Sequence, residues 1–212
     1  MPHADSALVP EGTITRQQFW DHVYEQLIHL LGDERAWVSN LANAASLIYN
    51  SLLAFPPFGS GDNAVNWCGF YIHSSYFPNP RNPPHTDHTL SHPDSLLLGP
   101  FCGKPACQFI NLAPSQARGV CADAFLRKSS TLVPDVEAYP GHIACDGSTK
   151  SELVVPLILG NLSGANQIPD TPDGLTAVGV LDLDCLALSG FQEEDRLGME
   201  KIARLITHSC DW

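Results

Sequence analysis

The chain has 212 residues, of which 44% are hydrophobic and 16% are charged, and its formal net charge at pH 7 is -12. This length predicts a single domain with its own core, and the composition is too apolar for a disordered chain. Because only 11 lysines and arginines are present, the chain is not expected to bind nucleic acid or an anionic membrane, both of which require clustered positive charge.

The chain also shows no secretory signal pattern in residues 1–15 and no run of about 18 apolar residues. We therefore expect a soluble protein of the cytoplasm. In that reducing compartment the seven cysteines are expected to be buried, reactive or metal-binding rather than paired in permanent disulfides.

Two helices are predicted first in the chain. Thr15 and Gln18 form a capping-box pattern at the start of the first helix, and its apolar residues recur at helical spacing: Phe19, Val23, Leu27 and Leu30. The second helix is predicted to stop before Pro56 and Pro57, and its apolar stripe consists of Trp37, Leu41, Ala45, Ile48 and Leu52. Both stripes are expected to cover one face of a sheet.

Six strands and a last helix are predicted after these two helices. The strand segments are short, apolar or β-branched, and bounded by turn residues: AVNWCGFYI, SLLLGPF, ACQFINL, STLVPDV, ELVVPLILG and AVGVLDLDC. The helix is predicted in FQEEDRLGMEKIARLITHS, and its apolar side carries Leu197, Ile202, Leu205 and Ile206. This order of elements predicts an α/β sandwich formed by one domain, residues 1–212.

Three stretches are predicted to lie outside this plan. Residues 1–14 are expected to be a flexible N-terminus, and residues 73–94 and 160–175 are expected to be insertions, because both are rich in proline, asparagine, serine and aspartate. The histidines of the first insertion suggest either a metal site or a solvated loop, and the lack of supporting carboxylates favours the loop. They are His73, His85, His88 and His92.

Three cysteines indicate a redox site. Cys145 lies in GHIACDG, in a glycine-flanked loop that is typical of an accessible, reactive thiol, and Cys107 and Cys121 lie upstream beside small residues. A thiolate that attacks an oxidised substrate becomes a sulfenic acid, and a second thiol converts that product into a disulfide. One attacking and one resolving cysteine are therefore the minimum for turnover.

Burial is the alternative role for any of these thiols, because free cysteine is among the most buried residue types. We favour burial for Cys68 and Cys185, which lie inside predicted strands. The spacing of the cysteines does not indicate a zinc site, because the chain has no Cys-x-x-Cys pair.

Three carboxylates stand inside predicted strands. Glu152 begins one strand, and Asp182 and Asp184 lie two residues apart on another, so both aspartates leave the same face of the sheet. Desolvation and like-charge proximity are expected to raise the pKa of at least one of them, which would leave a protonated acid near neutral pH. The alternative is that these acids lie at strand ends and face water.

Two aromatic residues flank a glycine on another predicted strand. Trp67 and Tyr71 are four residues apart and therefore share one face, with Gly69 between them. Open space over Gly69 would leave a slot between the rings that suits a methyl or ammonium group. The alternative is that both rings simply pack in the core.

Taken in chain order, five segments resemble the free methionine-(R)-sulfoxide reductases, a family of stand-alone GAF domains: NWCGFY, LLGPFCGKPAC, RGVCAD, VPDVEAYPGHIACDGSTKSELVVPL and GVLDLDC. The resemblance spans Trp37 to about Ile206. It implies an α/β (α+β) fold with a GAF-like central, mostly antiparallel six-stranded sheet and helices packed on it. It also suggests a homodimer.

The resemblance further implies reduction of the R epimer of free methionine sulfoxide, through a cysteine sulfenic acid and an intramolecular disulfide, with thioredoxin as reductant and no cofactor. Cys145 then corresponds to the attacking cysteine, Cys107 to the principal resolving cysteine and Cys121 to a third thiol. The remaining site residues are implied to bind the substrate or to polarise its sulfoxide oxygen. They are the carboxylates Glu152, Asp182 and Asp184, the aromatic wall of Trp67 and Tyr71, and the loop backbone at Ile143 and Ala144.

The chain departs from the family pattern at Cys102, where a glutamine is common, and at Cys68, where an alanine is common. Because Cys102 lies five residues before Cys107, it is a second candidate partner for a disulfide. Two other functions stay open. One is a GAF module that binds a metabolite or nucleotide without turnover, and the other is a cysteine hydrolase that uses Cys145 and His142.

Overall fold

A computed structural model of the chain describes residues 8–13, 15–78, 94–143, 146–160 and 174–212. Four α-helices are present in these ranges: α1 (Arg16–Leu31), α2 (Trp37–Ala54), α3 (Val120–Arg127) and α4 (Glu193–His208). The strands are β1 (Val65–His73), β2 (Ser95–Gly103), β3 (Phe109–Asn111), β4 (Thr131–Val133), β5 (Ser151–Leu159) and β6 (Thr176–Cys185).

The six strands form one sheet in the order β3-β2-β1-β6-β5-β4. Every neighbouring pair is antiparallel, so the predicted mostly antiparallel sheet is confirmed. The long strands β1, β6 and β5 lie side by side at its centre. Their two faces are both buried, which explains why their sequences are nearly continuous apolar runs rather than strict alternations.

Each face of the sheet carries its own core. On one face α1, α2 and α4 pack over inward residues of the strands such as Phe70, Leu153 and Leu183. On the other face α3 packs over a smaller apolar cluster that includes Trp67, Tyr71 and Val154. Because side chains alternate along a strand, each central strand supplies both cores.

The predicted helices at the two ends are confirmed. Thr15 and Gln18 form the capping box of α1 in both directions. The apolar stripe of α2 packs on β1 and β2, as expected, whereas the buried stripe of α1 packs mainly against α2 and α4. One residue was assigned wrongly on α4, where Leu197 is 52% exposed. Helix α3 is an addition that the sequence did not predict.

Most of the two predicted insertions lies outside the described residues, and so do His85, His88 and His92. The fourth histidine, His73, ends β1, where its Nδ1 lies 2.7 Å from the hydroxyl oxygen of Ser75. Across the ranges that the structure covers, none of the helices is long and apolar enough to span a membrane.

Candidate active site

A cavity lies between α3 and the central strands of the sheet. Three layers of the fold contribute to it: the strand face, the first turn of α3, and the loops that precede β3 and β5. Its lining combines thiols, carboxyl groups and aromatic rings with the Arg118 guanidinium and the His142 imidazole. The lining residues are Trp67, Tyr71, Ala106, Cys107, Phe109, Ile110, Arg118, Gly119, Val120, Cys121, His142, Ile143, Asp146, Thr149, Glu152, Asp182 and Asp184.

The strand register brings the three predicted carboxylates together. Glu152 on β5 lies directly opposite Asp184 on β6, and Asp182 is on the same face of β6, two residues earlier. Trp67 on β1 lies opposite Asp184 on its other side. All three acids are buried, with at most 9% of their surface exposed, so the alternative of solvent-facing strand ends is wrong.

Burial also changes the protonation of these acids. Desolvation raises the pKa of Glu152, although the His142 imidazole beside it opposes this effect. Desolvation and the neighbouring charges of Glu152 and Asp184 raise the pKa of Asp182 well above its usual range, and desolvation acts in the same direction on Asp184. The expectation of at least one carboxyl with a raised pKa is confirmed.

Cys121 lies among these carboxylates, in the first turn of α3. Its Sγ is 3.4 Å from Oδ2 of Asp182 and 3.8 Å from Oε1 of Glu152. Burial first, and then the negative potential of the acids, raise the pKa of this thiol well above its usual range. Cys121 is therefore held as a thiol, which is a weak nucleophile.

Two polar contacts connect the loop before β5 to the rest of the site. His142 Nε2 lies 3.4 Å from Oε2 of Glu152, and Lys104 Nζ lies 3.0 Å from Oδ2 of Asp146. Hydrogen bonds from Ser148 and Lys104 hold the pKa of Asp146 at about 2, so this carboxylate keeps its charge at neutral pH.

The aromatic residues anchor the loop that carries Cys107. The Trp67 indole donates a hydrogen bond to the carbonyl of Lys104 at 3.2 Å, and the Tyr71 hydroxyl donates one to the carbonyl of Cys107 at 3.0 Å. The expected slot over Gly69 is wrong, because the Trp67 ring itself lies there: a Cβ at Gly69 would come within 2.5 Å of its Cη2 atom. The two rings instead stack with centroids 5.9 Å apart and form one continuous wall.

Cys145 and Ala144 lie outside the described residues. The chain on either side of them lines the cavity, at His142 and Ile143 before them and at Asp146 and Thr149 after them. Ile143 is 52% exposed at the cavity rim.

The extra cysteines lie on the far face of the sheet. Cys68 and Cys102 are directly opposite each other on β1 and β2, and both contact the core under α1, α2 and α4. The burial expected for Cys68 and Cys185 is confirmed. Because Cys102 belongs to the face opposite the cavity that Cys107 lines, the structure does not support Cys102 as a partner of Cys107.

Three cavity features were missed by sequence reasoning. Arg118 stands at the rim, just before α3, and Gly119 caps that helix with no side-chain hydrogen bond to its first N–H groups. Thr149 is the third, and its hydroxyl accepts a hydrogen bond from Asn66 at 3.0 Å. Gly119 at the N-cap position was the available signal for the start of α3, because glycine is among the preferred N-cap residues.

The fold is that of a GAF domain. A solved structure of a GAF domain superposes with a TM-score of 0.74 at 34% identity, and the alignment covers 100% of this chain and 98% of that chain. The X-ray structure of free methionine-R-sulfoxide reductase from Neisseria meningitidis in complex with its substrate gives a TM-score of 0.68 at 30% identity, covering 96% of this chain and 95% of that one.

A Saccharomyces cerevisiae protein named free methionine-R-sulfoxide reductase is 41% identical over 174 residues, which make up 82% of this chain and 76% of the yeast protein. The chain matches no protein-family model. At this identity and coverage, the chain belongs to the free methionine-R-sulfoxide reductase family.

The raised pKa of Asp182 predicts a stability gain when its charge is removed. Below about pH 4 an aspartate is protonated in both the folded and the unfolded chain. As the pH rises the unfolded chain loses this proton first, so the native state is destabilised toward neutral pH. We expect Asp182→Asn to increase the free energy of unfolding at pH 7, with the gain disappearing as the pH falls below about 4.

Urea unfolding of reduced protein at several pH values, with a chelator present, measures this difference. Asp21→Asn is the matched control, because Asp21 is 53% exposed and pairs with Lys201 at the surface. A destabilised Asp182→Asn at pH 7, or a gain that does not depend on pH, would contradict the assignment.

Proposed function

We propose that this protein reduces free methionine-R-sulfoxide to methionine and that the cavity under α3 is its active site. The observation that carries the proposal is the set of three buried carboxylates with raised pKa values beside a thiol and an aromatic wall. Such a set can bind a cation and also donate a proton to a sulfoxide oxygen. The names of the yeast and Neisseria relatives support the same substrate.

The charges of a free amino acid suit this cavity. Asp182 and Asp184 are the proposed acceptors of the substrate ammonium group, and Oδ1 of Asp182 has no hydrogen-bond partner among the described residues. The substrate carboxylate is proposed to meet Arg118 at the rim and the backbone N–H groups of Ile143 and Ala144. A methionine inside a peptide has neither charge, which would explain a preference for the free amino acid.

The apolar part of the substrate is proposed to lie against the Trp67 and Tyr71 wall. A sulfoxide sulfur accepts a nucleophile readily only when its oxygen is protonated or strongly hydrogen-bonded. We assign this role to Glu152, because its two oxygens face Cys121 and His142, with Asp184 directly opposite on β6. The imidazole can return a proton to Glu152 after the transfer.

Cys145 is the proposed nucleophile. Its thiolate attacks the sulfur, the oxygen is transferred to the cysteine as a sulfenic acid, and methionine leaves with its sulfur reduced by two electrons. The cavity-lining residues on both sides of Cys145 support this assignment. So does the environment of Cys121, since a thiol kept protonated by neighbouring acids is a poor competitor for the attack.

Cys107 is the proposed resolving cysteine. Its thiol condenses with the sulfenic acid to give a disulfide and one water molecule, and thioredoxin then reduces the disulfide in the cytoplasm. Cys121 is a third thiol that can exchange with this disulfide. Because thiols supply both electrons, the proposed cycle needs no other cofactor.

A thioredoxin-coupled assay with racemic free methionine sulfoxide tests the function. NADPH consumption should stop after half of the racemate is converted, because only the R epimer is a substrate. Binding of methionine sulfoxide without any NADPH consumption would overturn the proposal in favour of a binding module, and release of a hydrolysis product would favour the hydrolase.

The attacking role of Cys145 and the resolving role of Cys107 predict different kinetic defects when each cysteine is replaced. Cys145→Ser should abolish reduction, including a single turnover, because the attacking sulfur is missing. Cys107→Ser should complete a first stoichiometric reduction and then cycle slowly with thioredoxin. The amount of methionine formed per enzyme molecule in the absence of a reductant distinguishes the two variants, because only Cys107→Ser should form any. Substantial turnover by Cys145→Ser would show that another thiol attacks the substrate.

Glu152→Gln should keep the shape and a hydrogen-bond donor but lose the transferable proton. We expect kcat to fall by about 10²–10⁴-fold, with a much smaller change in KM, because general-acid assistance acts in the transition state. Steady-state kinetics with free methionine-R-sulfoxide measures both constants. A kcat near that of the wild type would exclude the proton-donor role.

The hydrogen bond from Tyr71 to the Cys107 carbonyl predicts a positioning role. Tyr71→Phe keeps the ring of the aromatic wall but releases the Cys107 loop, so disulfide formation should slow by about tenfold, the effect of about 1.4 kcal/mol, while the first reduction changes little. Quenched-flow measurement of methionine and disulfide formation compares the two steps. Equal slowing of both steps would assign Tyr71 to substrate binding instead.

A further inference from the structure

Three potential metal ligands of different chemistry converge at the bottom of the cavity. Cys121 on α3, Glu152 on β5 and Asp182 on β6 each offer one ligand atom, and these atoms all lie within 4.8 Å of one another. The His142 ring is not part of this group, and its Nε2 lies 3.4 Å from Oε2 of Glu152. All four side chains are largely buried, the most exposed being His142 at 14%.

The sulfur–oxygen spacing of this group is close to that of a zinc site. With bonds of about 2.3 Å to sulfur and about 2.0 Å to oxygen, a tetrahedral zinc ion has sulfur–oxygen edges of about 3.5 Å. The observed separations from Cys121 Sγ are 3.4 Å to Oδ2 of Asp182 and 3.8 Å to Oε1 of Glu152. A cation could therefore bind these three side chains with little movement of their ligand atoms.

A second observation points to a bound cation. Oδ1 of Asp182 is buried and has no hydrogen-bond partner among the residues that the structure describes. A buried polar atom without a partner is costly. A divalent cation would supply that partner and would neutralise two of the three buried carboxylates.

The ligand types select the cation. A thiolate favours Zn²⁺ or a similar borderline-soft ion, whereas Mg²⁺ and Ca²⁺ require mostly oxygen ligands. Such an ion would bind the carboxylates of Glu152 and Asp182, to which the proposed function assigns the sulfoxide oxygen and the substrate ammonium group. The ion and the substrate would therefore compete for the same side chains.

We propose that the reduced cavity binds one Zn²⁺ through Cys121, Glu152 and Asp182, and that this ion excludes free methionine-R-sulfoxide. The thiol proton of Cys121 is released when the sulfur–zinc bond forms, and no electron is transferred. The binding part stands on the ligand geometry alone, whereas the inhibition part rests on the proposed function. Cysteine spacing did not indicate zinc because the three ligands come from separate segments.

Zinc binding is tested with Cys145→Ser, which keeps the three ligands but cannot turn over. Titration of the reduced full-length chain with Zn²⁺, in competition with a chromophoric chelator, should give one ion per chain. Co²⁺ as a spectroscopic substitute should show a thiolate-to-metal absorption band. No binding, or no thiolate band, would overturn the proposal, and loss of binding caused by Cys145→Ser itself would assign the thiolate ligand to Cys145.

Variants of the proposed zinc ligands, made in the Cys145→Ser protein, are compared with that parent for zinc affinity. Loss of a partner that merely orients a ligand costs about 10–100-fold in metal affinity, so loss of a ligand in Cys121→Ser or Asp182→Asn should cost at least about 100-fold. Cys102→Ser should bind as the parent does, because Cys102 contacts the core on the other face of the sheet. Circular dichroism confirms folding, and equal affinity in all variants would contradict the site.

Exclusion of substrate is tested in two ways. Saturating methionine-R-sulfoxide should weaken Zn²⁺ binding to Cys145→Ser, and Zn²⁺ should slow a single turnover of the wild-type enzyme in a way that EDTA reverses. Unchanged zinc affinity with substrate present would overturn the exclusion. If the zinc-free enzyme shows no turnover at all, the proposed function fails while the binding result stands.

Discussion

Burial of three carboxylates on one face of the central sheet is the constraint on which the rest of the site depends. Glu152, Asp182 and Asp184 have side chains less than 10% exposed, and burial of ionised acids is strongly unfavourable without compensation. The protein compensates by raising their pKa values and by placing polar groups of His142 and Cys121 against them. An amino-acid ammonium group, or a metal ion, would complete the compensation.

The antiparallel register makes this arrangement rigid. Because β5 and β1 flank β6 on its two sides, Asp184 lies between Glu152 and Trp67 at one level of the sheet. A shift of one residue in any of these strands would move its site residues to the face covered by α1, α2 and α4. The large core on that face therefore also holds the acids and the aromatic wall in place.

The loops around the cavity are tied to this rigid wall. Trp67 and Tyr71 hold the backbone at Lys104 and Cys107, and the Lys104 side chain reaches Asp146 on the loop before β5. Lys104 is 67% exposed, so its ion pair contributes little stability. Its effect is to connect the two loops that the redox cycle proposed here must bring together.

Local sequence determined most of the elements and the chemical types in the site. Short apolar or β-branched segments between turn residues predicted all six strands, and helical spacing predicted three of the four helices, because burial in a core imposes these patterns on the sequence. The carboxylates inside apolar strands were recognisable for the same reason. Helix α3 was not predicted, because Val120–Arg127 has only 8 residues and begins in a segment that was interpreted as a cysteine motif.

Tertiary structure alone decided which of these residues meet. The pairing of Glu152 with Asp184, the position of Cys121 among the acids, and the opposite faces of Cys102 and Cys107 all depend on strand order and register between distant segments. The ring of Trp67 over Gly69 likewise depends on a side-chain rotation that strand periodicity does not specify. Sequence patterns report which face a residue occupies, whereas a site requires distances between elements, and only the packed fold sets those distances.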